Sequence, residues 1–201
     1  IQGIYFGIMT VMILYNLFIY ASIKERSYLF YICYISSFTI CQLSLEAYSF
    51  EYLWPNNTWW ANINIPLFGV LSLFFASLFA REILQSRTVL PFFDKVLITI
   101  TSSLFFTLPI ILLGSYNAGI YASLTGAFVF FNLILLAGIL AALKGNRTAI
   151  VFVIAWSIFL ISGVISMLGM LDIVPMKYGP QAAIQIGSAI EVILLSLALA
   201  D

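Results

Sequence analysis

The sequence predicts an all-α polytopic membrane protein, a bundle of seven transmembrane helices. Three observations lead there. The 201 residues are 63% hydrophobic and only 8% charged, where a soluble domain carries about 25% charge. Mean hydropathy is +1.11. Charges and helix breakers divide the chain into seven apolar runs, each close to the roughly twenty residues that cross a bilayer core. No connection is long enough to fold alone, so 1–201 reads as one membrane domain.

The elements follow in order. The first helix covers about 1–22 and ends at Lys24-Glu25-Arg26; the second covers about 27–48. Between Glu51 and Trp60 lie Trp54, Pro55, Trp59 and Trp60, and tryptophan favours the headgroup level, so this stretch reads as an interfacial loop. A third helix runs over about 61–84. The polar segment 85–95 holds Pro91 and reads as chain lying along the membrane surface, with Arg81/Glu82 and Asp94/Lys95 as solvated rim charges. The next charge is Lys144, so 96–143 is too long for one span and needs a hairpin, which Gly114-Ser115-Tyr116-Asn117 supplies. That makes the fourth and fifth helices about 96–113 and 119–143. Lys144 to Arg147 is a tight turn, the sixth helix is about 148–170, and a loop with Pro175 and Pro180 leads to the seventh at 181–201.

Orientation follows from the basic residues. The odd connections hold Lys24, Arg26, Arg81, Arg87, Lys95, Lys144 and Arg147, and the even ones only Lys177. This bias predicts odd connections in the cytoplasm, the N-terminus outside and the C-terminus inside.

Composition also removes function classes. Net charge is zero, so there is no nucleic-acid footprint. The chain has no histidine, the commonest general base and metal ligand. No H-E-x-x-H, paired intramembrane aspartate or G-x-S-x-G occurs, and the last helix has no lysine for a retinal Schiff base. No catalytic residue, metal or cofactor is therefore expected. Cys33 and Cys41 stand about 12 Å apart along one helix, too far to bridge. No internal repeat of the transporter kind is visible.

Candidate site residues concentrate in the last helix. Gln181, Gln185, Ser188 and Glu191 share one face. Glu191 sits roughly 15 Å from Gln181 by the helical rise, near the middle of the hydrocarbon. A charge there costs about 2.5–3.5 kcal/mol on insertion scales, so Glu191 should face other helices and be neutral or paired. Gln185, Ser188 and Glu191 form the expected polar core of a switch. In the second helix Thr39, Gln42 and Glu46 share a face, and Glu46 falls at the outer rim, about 28 Å from Ser27. Glu46 with Trp54, Trp59 and Trp60 makes the expected outer sensing surface. Gly3-x-x-x-Gly7, and Ser162, Gly163, Ser166 and Gly169, permit close helix approach, chiefly inside the bundle. Two other readings stay open: a small-molecule carrier with Glu191 as its coupling site, and a structural anchor.

Several stretches carry a resemblance. They are Gly3-Ile-Tyr-Phe-Gly7, Leu14-Tyr-Asn-Leu-Phe-Ile-Tyr20, Tyr28-Leu-Phe-Tyr31, Pro66-Leu-Phe-Gly69, Phe79-Ala-Arg-Glu82, Leu90-Pro-Phe-Phe-Asp-Lys95, Gln185-Ile-Gly-Ser188 and Glu191 onward to Asp201. With these in order, the chain resembles the bacterial seven-transmembrane receptors with diverse intracellular signalling modules. It departs at 82–87, where such proteins often have a more basic run. The resemblance implies an extracellular sensory domain before Ile1 and a cytoplasmic signalling module after Asp201, in one polypeptide. It also implies signal transduction as the function and the bacterial cytoplasmic membrane, with its lipids, as the setting. The transducer reading carries a homodimer with it.

Overall fold

A computed structural model describes residues 2–55, 57–113, 116–175 and 179–200. Regular structure among them is entirely helical. The elements are α1 (Gln2–Ile23), α2 (Arg26–Leu45), a π-helical turn (Ser49–Leu53), α3 (Thr58–Ile83), α4 (Ser86–Val89), α5 (Pro91–Leu113), α6 (Tyr116–Leu143), α7 (Arg147–Met170) and α8 (Gln181–Ala200). All but the π-helical turn and α4 are long and apolar enough to cross a membrane, so the described chain holds seven candidate spans.

Each span packs on the next, and α8 returns to α1, closing a ring. Within it α3 touches α2, α5 and α6 and is the most buried span, whereas α1 is the least buried. The core is aromatic where α2, α3, α6 and α7 meet. Trp156 is fully buried there against Phe130, Phe131, Phe152 and Phe159, and Phe79 lies 4.9 Å from Tyr31, centroid to centroid. Both α3 and α5 run through their prolines, Pro66 and Pro109, as continuous helices.

Helix ends differ from the expectation for local reasons. α2 stops at Leu45 because Ala47 adopts a left-handed φ of 63°, which ends the helix before the apolar run does. α3 begins at Thr58, capped by the Asn57 side chain accepting from the Trp60 amide at 3.0 Å. Trp59 and Trp60 are thus first-turn helix residues, not loop. α5 begins at Pro91, whose missing N–H costs nothing in a first turn. α6 ends in a Schellman turn, with Gly145 at φ 89°, Gly145 N–H donating to Ala142 and Asn146 N–H to Ala141. Of the expected hairpin, Tyr116 and Asn117 open α6, while Gly114 and Ser115 lie outside the described residues. Ile1, Lys177 and Asp201 lie outside them too.

Of the four expected rim charges, Lys95 is exposed, while Arg81 and Asp94 are corrected by the structure. Arg81 and Asp94 pair with each other in a two-pronged bridge at 2.8 and 3.1 Å, and Ser86 Oγ donates to Asp94 at 2.6 Å. The two side chains are only about a tenth exposed, 12% and 11%, so they are an internal clamp and not solvated charges. The clamp folds 81–94 into a compact turn, and Lys144 and Asn146 reach across to the carbonyls of Val89 and Leu84.

The small-residue faces are also redistributed. Gly3 and Gly7 face open space, so that pair packs nothing inside the bundle, and Gly163 is open as well. The expected face of Ser162, Ser166 and Gly169 is buried, and the close approach is made where Gly187 of α8 meets Ser162. A Cβ added there would overlap Ser162 Oγ and Cβ and lie 3.4 Å from the Ile158 carbonyl oxygen. Gly187→Ala should therefore cost about 1–3 kcal/mol of stability. Thermal unfolding in detergent checks this, with Ser162→Gly in the same chain expected to restore part of the loss.

Candidate functional site

The site is built on α8, whose inward face is polar. Gln185, Ser188 and Glu191 are 2%, 0% and 0% exposed, and Ser196 continues the stripe. In a hydrocarbon environment such groups need partners from neighbouring helices. α2 supplies them from Tyr28, Tyr31 and Tyr34, spaced three apart so that their hydroxyls fall along one face. Tyr34 Oη stands 3.0 and 3.2 Å from the two oxygens of Glu191 and donates to the carboxyl. Tyr31 donates to the Val192 carbonyl, and Tyr28 to the Leu199 carbonyl at 3.0 Å. No ion pair involves Glu191 among the described residues, where Arg81–Asp94 is the one bridge.

Packing fixes the donor. The Tyr34 ring stacks on Trp156 with centroids 6.3 Å apart and planes 25° apart, and the aromatic core holds Trp156 in turn. α1 adds two contacts from the other side. Ser188 Oγ lies 3.2 Å from Tyr5 Oη, and Ser196 Oγ donates to Asn16 Oδ1 at 3.1 Å. Asn16 is completely buried and also donates to its own helix at Met12.

At the other end of the seam stands Glu46. It accepts Gln2 Nε2 at 2.7 Å and Gln185 Nε2 at 3.3 Å, and Tyr48 donates to Gln2 Oε1. A groove of about 560 Å³ opens here, lined by Gln2, Gly3, Glu46, Tyr48, Gln181, Ala182 and Gln185. Polar contacts thus follow α8 from Gln185 to Leu199, roughly 21 Å by the helical rise.

The structure therefore joins what the sequence reading kept apart. Glu46 belongs with Gln185, not with the tryptophans. Trp54, Trp59 and Trp60 cluster with one another, with ring centroids 6.0 and 6.2 Å apart, and none of them lines the groove. Thr39, on the face shared with Glu46, spends its hydroxyl on its own helix at Ile35. The residues that sequence reasoning missed are Tyr5, Asn16, Tyr28, Tyr31, Tyr34 and Trp156. The available signal was the three-residue spacing of tyrosines in an apolar helix. Among the described residues no group of three His, Cys, Asp or Glu could hold a metal ion. The arrangement can make or release discrete hydrogen bonds between α8 and its neighbours, and can gain or lose a proton at Glu191.

A family model for 7TM diverse intracellular signalling matches residues 1–201, the whole chain. The chain belongs to that family. Matching curated proteins and solved structures were not found. Seven apolar helices and membership of the 7TM diverse intracellular signalling family together make this a multi-pass membrane domain associated with signalling. In this family member the last span is bonded through side chains to the first two.

Tyr34→Phe should leave the Glu191 carboxyl without its partner and lower stability by about 1–3 kcal/mol. Adding Glu191→Leu should recover much of that loss, since an apolar side chain removes the orphaned group. Apparent unfolding free energies of the two single variants and the double variant check the coupling.

Proposed function

We propose that this domain is the transducer of a bacterial receptor in the cytoplasmic membrane. Its N-terminus lies outside and its C-terminus in the cytoplasm, as the seven-to-one bias of basic residues favours. An extracellular sensory domain precedes it and a cytoplasmic signalling module follows, so that any catalysis belongs to that module. The functional unit is a homodimer.

One observation carries the reading: the seam of hydrogen bonds between α8 and its neighbours, from Gln185–Glu46 at one end to Leu199–Tyr28 at the other. Interhelical hydrogen bonds in membranes are worth about 0.6 kcal/mol on average, so exchanging a few of them is inexpensive. A helix held this way has alternative packings within reach of a ligand's binding energy. The ligand must favour one packing over the other, or nothing shifts. Gln185, Ser188 and Glu191 are the polar core of this switch. Glu46 faces the groove where the outer input arrives, and Trp54, Trp59 and Trp60 anchor the adjacent edge.

The carrier reading, with Glu191 as coupling site, finds less support. Transporters commonly place broken helices at their binding sites, and here α3 and α5 are continuous through their prolines. Glu191→Gln in the full-length protein should keep the fold and shift the dose–response of a downstream reporter, at matched protein level. An unchanged curve would remove Glu191 from the switch. Proteoliposomes separate the classes: a transducer moves no solute, and a Glu191-dependent flux would support the carrier.

A further inference from the structure

The groove at the Glu46 end has a chemistry that selects its occupant. Its volume, about 560 Å³, is within the roughly 300–1,000 Å³ of small-molecule sites. The donors around it point inward. Gln2 and Gln185 both direct their Nε2 groups at Glu46, and the Tyr48 hydroxyl is spent on Gln2 Oε1. A carboxylate offers about four acceptor positions, so two remain beyond these amides. Gln181 also lines the groove, and each amide keeps a second N–H, so the neutral groups there both donate and accept; what sets the groove apart is the single carboxylate. Glu46 also makes no ion pair among the described residues.

Among the described residues the surrounding charge has the same sign. In the described connections at this end, the charged side chains besides Glu46 are Glu51 and Asp172, both acidic and exposed. Aromatic surface completes the wall. Tyr48 lines the groove, backed by Tyr52 at 6.3 Å and Phe6 at 6.2 Å between centroids. A ring beside a carboxylate is the pairing that attracts ammonium groups. A bare divalent ion is poorly served, because calcium takes about 6–8 oxygens and this end offers one lining carboxylate.

We propose that this groove binds a small organic cation, its ammonium seated between the Glu46 carboxylate and the Tyr48 ring. The ligand supplies the positive charge that Glu46 does not meet among the described residues. Gln185 and that ammonium share the Glu46 carboxylate, so occupancy acts on a group that also holds α8. The link from occupancy to signalling rests on the transducer reading above; binding itself does not.

The test is calorimetric titration of putrescine into the intact protein in phosphatidylcholine nanodiscs, whose neutral lipid avoids collecting amines. Saturable binding is expected, weakened at least about tenfold by Glu46→Gln, which keeps the side-chain shape but removes the charge. Glu51→Gln controls for diffuse charge and should change Kd less than about twofold. The uncharged diol of the same length should not bind. No binding, equal binding by the diol, or equal binding by Glu46→Gln would overturn the site. Lys177→Ala distinguishes the cation's source: unchanged affinity supports a free amine, and a tightening of about tenfold overturns the free amine in favour of the chain's own lysine. Binding without any change in reporter output would leave the site standing and count against the transducer reading.

Discussion

The seam along α8 answers to one constraint: a charged or strongly polar side chain placed in hydrocarbon must find its partner inside the chain. Glu191 is the extreme case, fully buried in α8. Its partner is one phenol, and that phenol has to be held still. Tyr34 is held by stacking on Trp156, and Trp156 by four phenylalanines from α6 and α7. The placing of α2 against α7, and of both against α6, thus follows from the need to present a hydroxyl at the right depth. α1 contributes Tyr5 and Asn16 by the same logic and is otherwise turned largely toward lipid.

α8 divides its two jobs between two faces. Toward α7 it is small, and Gly187 lets the backbones meet at Ser162 with no room for a methyl group. Toward α1 and α2 it is polar and bonded through side chains. Close van der Waals contact is tolerant of polarity but intolerant of bulk, while the hydrogen bonds are tolerant of small movements but need their partners. One face therefore fixes where the helix crosses, and the other governs how it is oriented about that crossing.

Hydropathy made the seven spans readable from the sequence, since a bilayer demands apolar runs of one length. The inward placement of Glu191, Gln185 and Ser188 was readable for the same reason. The partners were not. Tyrosine is at home at the interface, in a core or on a donor face, and a sequence does not say which, so Tyr28, Tyr31 and Tyr34 stayed silent. Arg81 and Asp94 looked like surface charges because Pro91 and polar residues lie between them, and only the folded turn brings them together. Ala47 ended α2 three residues early through a left-handed backbone that no alanine announces. Gly187 was passed over for Gly3 and Gly7, because spacing records which residues are small and not which helix arrives beside them.

The position of that close crossing sets a mechanical ratio. Gly187 stands six residues into α8 from Gln181 and thirteen before Ala200, which the helical rise converts to arms of about 9 and about 20 Å. A rigid rod tilting on such a fulcrum reverses the direction of a displacement and roughly doubles it. A movement at the Glu46 groove would thus leave the far end of α8 larger and opposite in sense. Moving the glycine one turn toward Ala200 would bring the gain close to unity, so in such a tilt a single small residue would set the gearing of the helix.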